Sequence, residues 1–419
     1  NSALQAFFPA GFYYKTFMWP ASMWMTYEHV IRHAAGLGRV ADDHDDPDRY
    51  EKTNAHCDVL VAGGGIAGLM AALQAGRSGA RVILADEQNE FGGWLLGESD
   101  VTIDGTSAAD WIASAVAELS AMPEVTLLPR TTVFGYMDHN YLTLTERVTD
   151  HLGERPSHLP RQRMWKVYAG QTVLAQGAHE RPLVFSGNDL PGVMLSGAVR
   201  SYINRYGVVP GNRTVVFTNN DDAYRTALAL HGAGAHVVVV DLRRDLKGEL
   251  VKAVRTAGIE IMSGSAVTIA AGTQRIARVE ISPVNEGASA VLDDPIHMDC
   301  DLLAMSGGLS PAVHLHSQAR GKLGWDERLL CFKPTTAHEA SFSAGAGNGV
   351  FDAAKAIADG LRAGTAAAKA AGFAIEQGDA PHVSAPAQSW RPLAAWTIAN
   401  GKGEGEGPKA FVDFQNDVT

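Results

Sequence analysis

A glycine-rich turn constrains the fold of this chain more than any other sequence feature. The short apolar run 59–62 leads into Gly63, Gly65 and Gly68, which have the spacing G-x-G-x-x-G and open a helical segment. In such a turn the first glycine permits the tight bend, the second lets the backbone approach a pyrophosphate, and the third permits close helix–strand packing. The N-terminus of the helix then offers free N–H groups to phosphate oxygens. The turn therefore predicts a parallel βαβ unit that binds a dinucleotide.

An acidic residue at the end of the next apolar run indicates which dinucleotide fits. The run 81–85 closes on Asp86, eighteen residues after Gly68, in the position that binds ribose hydroxyls in such units. The adjacent Glu87 adds a second negative charge, and the strand end has no arginine that could receive a 2′-phosphate. The sequence therefore favours NAD over NADP.

Three more places along the chain are predicted to approach the nucleotide. Gly92 and Gly93 form a second glycine pair, which either admits the dinucleotide or is an ordinary turn. Val133 ends a strand-like run, where a third strand would meet the adenine. Gly177 lies in a small-residue turn after another strand-like run, similar to the turn by which two-dinucleotide flavoproteins leave their first domain.

A later turn discriminates between NAD and FAD in this site. Gly345 and Ala346 lie in a glycine-rich turn that precedes an alanine-rich helical stretch at 351–372. Flavoproteins with this plan carry Gly-Asp at the corresponding turn, and the aspartate binds the ribityl hydroxyls of FAD. Because NAD has no ribityl chain, alanine at position 346 favours NAD in the first site.

A second strand–helix–strand pattern, at 213–241, lacks the residues that a nucleotide needs. Its turn at 218–223 has the sequence TNNDDA, so no glycine occupies the three required positions. Asp221 and Asp222 lie where phosphates would bind, and their carboxylates would repel a pyrophosphate. We therefore expect a retained fold without a conventional NAD(P)H site.

The two βαβ units together predict an α/β fold with two dinucleotide-binding domains, of the FAD/NAD(P)-binding, disulfide-reductase-like kind. The second, Rossmann-like domain is predicted to be inserted into the first. The predicted divisions are an aromatic-rich N-terminal arm and acidic linker at 1–54, the first domain at 55–180 and 301–372, the inserted domain at 181–300, and a linker at 373–419. The arm, with nine aromatic residues among its first 27 positions, is either packed on its own body or part of a subunit interface.

The composition excludes several classes of function. Lys and Arg total 35 against 46 Asp and Glu, and this net charge of −11 provides no basic surface for general nucleic-acid binding. No apolar run reaches the roughly 20 residues of a membrane-spanning helix, and the N-terminus shows no secretory signal. The three cysteines, Cys57, Cys300 and Cys331, form no C-x-x-C pair, so we expect no dithiol redox centre, no disulfide framework and a cytoplasmic setting.

Two further absences limit the chemistry predicted for the chain. His314 and His316 lack nearby acidic or cysteine ligands, so no metal site is predicted. No side chain stands out as a general base, and we therefore assign no catalytic residue.

Several segments of the sequence resemble the alpha subunits of heterotetrameric sarcosine oxidases. They are FPAGFYYKTF at 8–17, TNND at 218–221, DLLAMSGG at 301–308 followed by Pro311, and KAFVDFQNDVT at 409–419. The resemblance covers essentially the whole chain and extends more weakly to opine oxidases, hydrogen cyanide synthases and proline dehydrogenase complexes. Because the chain begins with Asn1 and stops directly after a strand-like run, we expect it to be a fragment of a longer polypeptide.

The resemblance implies a role within a multi-subunit oxidase. Such complexes oxidatively demethylate sarcosine to glycine, pass the methyl carbon to tetrahydrofolate or release formaldehyde, and produce hydrogen peroxide. Their alpha subunit has a ferredoxin-like domain before this region and a folate-binding domain after it, toward which the 373–419 linker would lead. It holds NAD with no established redox role, whereas FAD is bound by the beta subunit and FMN lies at the alpha–beta interface.

The resemblance also implies which residues contact NAD. Carried over by motif position, the contacts fall on Ala67, Asp86, Glu87, Gln88, Trp94, Val133, Ala346, Phe351 and Ala353. No catalytic residue transfers, because the family's substrate site lies on another chain. Three alternatives stay open: a self-standing FAD-dependent NAD(P)H oxidoreductase, a subunit of a related amino-acid or opine dehydrogenase complex, and a non-enzymatic NAD-binding module.

Overall fold

The computed structural model describes residues 20–34, 45–292 and 294–398. The chain divides into two compact units, residues 1–49 and residues 50–419. Within the first unit, the described part forms a 3-10 turn at Ala21–Met23 and the helix α1 at Trp24–Ala34, directly after Pro20. Most of the predicted aromatic arm lies outside the described residues.

The second unit contains all the strands of the described part of the chain. The strands are β1 (Tyr50–Ala62), β2 (Val82–Ala85), β3 (Thr102–Ile103), β4 (Thr106–Ser107), β5 (Val125–Leu128), β6 (Thr131–Met137), β7 (Tyr141–Arg147), β8 (Gln162–Leu174), β9 (Ala178–Glu180), β10 (Val193–Leu195), β11 (Arg213–Thr218), β12 (His236–Asp241), β13 (Glu260–Ser263), β14 (Ser265–Gly272), β15 (Ile276–Pro283), β16 (Ile296–Asp299), β17 (Leu302–Ser306), β18 (Leu309–Pro311), β19 (Lys322–Asp326), β20 (Cys331–Thr336), β21 (Ser341–Ser343) and β22 (Val383–Ser384). The helices are α2 (Ile66–Arg77), α3 (Ala108–Ala121), α4 (Ser196–Tyr206), α5 (Asp222–Gly232), α6 (Glu249–Thr256), α7 (His314–Gln318) and α8 (Ala353–Ala370), with 3-10 turns at Gly93–Gly97 and Gly345–Asn348.

The first sheet carries the glycine-rich turn at its centre. Its strands run in the order β5-β2-β1-β8-β7-β6, and β21 also pairs with β8. The strands β5, β2, β1, β8 and β21 are parallel, whereas β6 and β7 run antiparallel as a hairpin beside β8. In β1, Val59 and Val61 belong to the core on one face and Leu60 and Ala62 to the core on the other. A parallel strand buried on both faces reads as a continuous apolar run, as the sequence shows here.

The second sheet is wholly parallel, with the strand order β10-β17-β11-β12-β13. Helices α4, α5 and α6 cover one face, where Val216 of β11 is buried. The antiparallel sheet β14-β15-β16 contributes to the core on the other face, where Phe217 is buried. This is the inserted Rossmann-like unit that the second strand–helix–strand pattern predicts.

The topology shifts two of the predicted domain divisions. Strand β17, assigned by the sequence to the resumed first domain from residue 301, pairs with β10 and β11 of the second sheet. Its five residues are all buried, and a short apolar strand of this kind can pair in either sheet. The chain returns to the first domain at β18, which pairs antiparallel with the outgoing strand β9. Strand β1 begins at Tyr50, inside the predicted linker, because it pairs with β8 from Gln162 onward.

The described part of the predicted C-terminal linker is packed against the body. Strand β22 pairs with β3, and Ile398 donates a backbone hydrogen bond to Val184. Ala395 and Ile398 are buried in the core of the second sheet. We call residues 385–398 the closing segment. Its proline-rich composition is typical of a linker, but its apolar side chains and backbone groups find partners in the folded structure.

Close packing of two helices fixes the start of α2 beneath the site. A Cβ atom added at Gly360 of α8 would lie 2.2 Å from the carbonyl oxygen of Ala67, and one at Gly364 would lie 2.4 Å from that of Ala71. The glycines therefore let the backbone of α8 lie directly against α2. This contact holds Ala67, in the first turn of α2, at the mouth of the glycine-rich turn.

Candidate functional site

The three glycines of the first turn have different environments. Gly63 has a φ of +101°, and a Cβ there would lie 2.3 Å from the carbonyl oxygen of Ala175. A Cβ at Gly68 would lie 1.8 Å from the carbonyl oxygen of Gly63. At Gly65, by contrast, a Cβ would meet no atom within 4 Å. The first and third glycines are therefore required by packing, while the second leaves open space in front of the N-terminus of α2, as a phosphate-binding turn requires.

Asp86, directly after β2, forms a hydrogen bond to the glycine-rich turn and also faces the cavity described below. Its Oδ2 accepts a hydrogen bond of 2.6 Å from the N–H of Gly64, and its Oδ1 accepts one of 2.8 Å from the N–H of Gln88. Burial raises the pKa of this carboxyl group, and the two hydrogen bonds act in the opposite direction. Each carboxylate oxygen can accept a further hydrogen bond, so Asp86 can also receive ribose hydroxyls.

The second glycine pair lies against the first turn. The N–H of Gly92 donates a hydrogen bond of 2.8 Å to the carbonyl oxygen of Gly64. A Cβ at Gly93 would lie 2.9 Å from the Cα atom of Gly65. Gly92 and Gly93 also have φ angles of +127° and +54°, values that favour glycine. The pair therefore allows two turns to approach each other, and so shapes the wall of the cavity.

A cavity of about 780 Å³ opens beside these turns. Fourteen of the sixteen predicted cofactor-binding residues line it: Gly63, Gly65, Ala67, Asp86, Glu87, Gln88, Gly92, Gly93, Trp94, Val133, Gly177, Ala346, Phe351 and Ala353. The other two, Gly68 and Gly345, lie behind its wall, and a Cβ at Gly345 would be 2.6 Å from the Cβ of Ala67. The structure thus brings the predicted residues together, while their contacts with a nucleotide stay a prediction.

The far end of this cavity is lined by residues that no sequence motif predicts. Glu180, His314, Gln388 and Trp390 also line it. The ring of Trp390 lies 6.3 Å from that of Trp94 and 5.7 Å from that of Phe351. Gln388 and Trp390 belong to the closing segment, and no local motif in the sequence signals their position, because tertiary packing alone brings them to the site.

A buried ionic cluster supports the same end of the cavity. Arg200, with 2% of its side chain exposed, forms ion pairs of 2.8 Å with Glu98 and 3.1 Å with Asp222. Arg225 pairs with Glu98 and with Asp100. Burial raises the pKa of Glu98 to about 6, against the opposing effect of Arg200 and Arg225.

The glycine-free turn of the inserted domain, at 218–223, is covered by the closing segment. The side-chain amide of Asn219 donates hydrogen bonds to the carbonyl oxygens of Leu393 and Ala395, at 3.0 and 3.1 Å. The N–H of Ser389 donates a hydrogen bond of 2.8 Å to Oδ2 of Asp221. Side chains of this glycine-free turn therefore bind the closing segment at the position where a conventional dinucleotide-binding domain would bind a nucleotide.

The remaining reactive residues do not form a redox or metal centre in the described part of the chain. Cys57, Cys300 and Cys331 are buried and unpaired, and burial raises their pKa values to about 12, 12 and 11. Among the described residues, no group of three or more His, Cys, Asp or Glu side chains could hold a metal ion. No helix in the described ranges is both long and apolar enough to cross a membrane.

Comparison with known proteins identifies the fold family. A family model described as pyridine nucleotide-disulphide oxidoreductase matches residues 57–332. The chain belongs to this family. Its predicted two-dinucleotide, disulfide-reductase-like fold is confirmed, and the crystal structure of Lactococcus lactis thioredoxin reductase superposes with a TM-score of 0.58 at 18% identity, covering 75% of this chain and 99% of that one. At this identity the superposition shows the fold alone.

Curated relatives confirm the resemblance to sarcosine oxidase alpha subunits. This family member is 42% identical over 427 residues to sarcosine oxidase subunit alpha of Rhizobium meliloti (strain 1021), covering 100% of this chain and 40% of that protein. It is 44% identical over 387 residues to the subunit of the same name from Corynebacterium sp. (strain P-1), covering 92% of this chain and 40% of that protein. The chain therefore spans 40% of the length of these relatives.

Proposed function

We propose that this chain is the NAD-holding module of a sarcosine oxidase alpha subunit. One observation carries the proposal: the first glycine-rich turn opens onto a cavity, while the second turn is filled by the closing segment. One open dinucleotide site among the described residues fits a cofactor-holding subunit better than a reductase, which needs sites for both a flavin and a nicotinamide nucleotide. The similarity to alpha subunits over the full chain supports the same assignment.

The residues of the cavity suit NAD. Asp86 offers acceptors for the adenosine ribose, and Gly65 leaves space for the pyrophosphate in front of α2. Ala346 supplies a methyl group where a flavoprotein of this plan has a ribityl-binding carboxylate. When bound, NAD would supply a ring that can accept a hydride. The residues named here bind and orient the nucleotide, and we assign no proton transfer to any of them.

We further propose that the reaction and the other cofactors belong to the assembled oxidase. In this proposal sarcosine is oxidatively demethylated to glycine, with formaldehyde or methylenetetrahydrofolate and hydrogen peroxide as the other products. A beta subunit would carry FAD, FMN would lie at the interface to which this chain contributes, and tetrahydrofolate would bind to a separate folate-binding domain. The support is the similarity to subunits of this name.

The released nucleotide tests the proposal. The purified protein is denatured after its visible spectrum is recorded, and the nucleotide is identified by mass spectrometry. We expect NAD from the chain when it is prepared without a beta subunit, with no flavin absorbance. Release of FAD from a yellow protein would overturn the proposal in favour of a self-standing FAD-dependent oxidoreductase.

A further inference from the structure

Three buried polar atoms at one end of the cavity have no hydrogen-bond partner among the described residues. They are Oε1 of Glu180, Oε1 of Gln388 and Nε1 of Trp390, and all three side chains line the cavity. Leaving a polar atom buried and unpaired is costly, so natural folds rarely contain several in one place. Three at one cavity end indicate a polar ligand group that would pair with them.

The order of strands relates these atoms to the rest of the dinucleotide site. Asp86 follows β2, Gly65 follows the central strand β1, and Glu180 lies beyond β8 on the other side of β1. With its adenosine ribose at Asp86 and its pyrophosphate over Gly65, a dinucleotide extends across the carboxyl edge of the sheet toward β8. The unpaired atoms therefore lie on the side of the non-adenine half.

Each of the three side chains is fixed by contacts that leave one polar atom free. Oε2 of Glu180 accepts a hydrogen bond of 2.8 Å from the N–H of Gly197. Nε2 of Gln388 donates one of 3.3 Å to Asp222. The ring of Trp390 is held by its contacts with Trp94 and Phe351. The free atoms are thus two acceptors and one donor, the acceptors being the oxygens of Glu180 and Gln388 and the donor the indole N–H.

This set matches a primary carboxamide. The amide NH₂ has two hydrogens to donate, and the amide oxygen accepts. A flavin edge has the opposite pattern, with two carbonyl acceptors flanking one N–H donor. We propose that Glu180, Gln388 and Trp390 form a pocket for the carboxamide of the nicotinamide ring. The inference rests on the proposed function and extends it, since it explains how the site would select NAD.

Binding of nucleotide analogues tests the carboxamide pocket independently of the rest of the nucleotide site. The test is calorimetric titration of the nucleotide-free full chain with NAD, with deamido-NAD, whose carboxamide is a carboxylate, and with ADP-ribose, which lacks the ring. It is carried out at a pH above 8, because burial raises the pKa of Glu180 to about 7 and the group must be ionised to act only as an acceptor. We expect roughly ten- to hundred-fold tighter binding of NAD than of deamido-NAD, because the carboxylate leaves two acceptors unpaired and faces Glu180.

Two variants test whether the pocket causes the preference for NAD over deamido-NAD. Trp390→Phe keeps an aromatic ring and removes the donor, so NAD should bind roughly several-fold to ten-fold more weakly while ADP-ribose binds unchanged. Glu180→Gln supplies a donor to the carboxylate, so the preference for NAD over deamido-NAD should shrink. Trp325→Phe, an exposed tryptophan on β19, is the matched control and should alter no affinity.

The outcomes distinguish the inference from the proposed function. Equal binding of NAD and deamido-NAD, or an equal effect of Trp390→Phe on NAD and ADP-ribose, would overturn the pocket while leaving NAD as the cofactor. Binding of FAD in place of both NAD and ADP-ribose would overturn the proposed function and the pocket with it. A melting temperature for each variant shows that it is folded.

Discussion

Asn219 and Leu393 are joined by two hydrogen bonds that run in opposite directions. The side-chain amide of Asn219 donates to the carbonyl oxygen of Leu393 at 3.0 Å, and the N–H of Leu393 donates to the carbonyl oxygen of Asn219 at 2.9 Å. Asn219, in the glycine-free turn at 218–223, therefore anchors the closing segment. Because that segment also supplies Gln388 and Trp390 to the cavity of the first domain, the inserted domain helps to position part of that cavity.

Replacing this anchor should destabilise the protein. Asn219→Ala removes the amide of a fully buried side chain, so the carbonyl oxygen of Ala395 loses its side-chain donor and that of Leu393 keeps only the N–H of Ala395. We expect the free energy of unfolding to fall by about 1–3 kcal/mol, measured by urea denaturation. Asn89→Ala, at an exposed position, is the control and should stay within about 0.5 kcal/mol of the wild type. Equal stabilities of the two variants would show that the anchor contributes nothing.

Adding a side chain at the close contact between α2 and α8 should also destabilise the protein. Gly360→Ala places a Cβ 2.2 Å from the carbonyl oxygen of Ala67, so the two helices must move apart. We expect a loss of about 1–3 kcal/mol, the usual cost of overpacking, together with weaker nucleotide retention because Ala67 lies in the cavity wall.

A second glycine-to-alanine change provides the comparison. Gly232 ends α5, and a Cβ there would meet no atom within 4 Å. Gly232→Ala should therefore leave stability unchanged or raise it by roughly 0.4–1 kcal/mol, as is usual for glycine to alanine at an unstrained position. Thermal denaturation of both variants checks the contrast, and a melting temperature for Gly360→Ala at or above that of Gly232→Ala would refute the packing argument.

Local patterns predict the turn and the strand end that line the first cavity, while their contacts with a nucleotide stay a prediction. The spacing of Gly63, Gly65 and Gly68 after an apolar run specifies a strand, a turn and a helix within a few residues, and Asp86 follows at the end of the next strand. Such signals depend on backbone geometry that neighbouring residues impose on one another. The glycine-free turn at 218–223 could be recognised from the sequence for the same reason.

Contacts between distant parts of the chain could not be predicted in this way. Asn219 and Leu393 are 174 positions apart, and nothing in the composition of the closing segment signals its partner. The sequence pattern places β17 in the wrong domain, because a run of four buried apolar residues and a serine suits any central parallel strand. The glycines of α8 likewise carry no local signal of their role, because each is required by the backbone of another helix.

An added carboxylate at Ala346 should weaken nucleotide retention. Ala346→Asp places a negative charge in the wall of the cavity proposed to hold the phosphates of NAD, without the rest of a ribityl-binding site. We expect the NAD recovered with the purified protein to fall roughly tenfold, which corresponds to about 1.4 kcal/mol. Ala346→Ser, which is small and neutral, should retain NAD, and mass spectrometry of the released nucleotide measures both. Retention of NAD by the aspartate variant would show that alanine at position 346 is no evidence against FAD.

The burial of Glu180 should make one part of the stability depend on pH. Desolvation and the nearby charge of Asp222 raise the pKa of Glu180 from 4.5 to about 7, while the Ser306 side chain, the Gly197 N–H and Arg200 act in the opposite direction. Between these two pH values the folded protein holds a proton that the unfolded chain has released. The contribution of this group to stability is therefore present below pH 4.5 and is lost as the pH rises toward 7.

Glu180→Gln removes this titration and so isolates its effect. The difference in the free energy of unfolding, variant minus wild type, should become more positive between pH 5 and pH 8, by on the order of 1–3 kcal/mol. Denaturation at both pH values measures it, and Glu327→Gln, at an exposed position, provides the comparison. A difference that stays constant with pH, or becomes more negative as the pH rises, would mean that Glu180 is ionised throughout this range in the folded protein, stabilised by Arg200 and the N-terminus of α4.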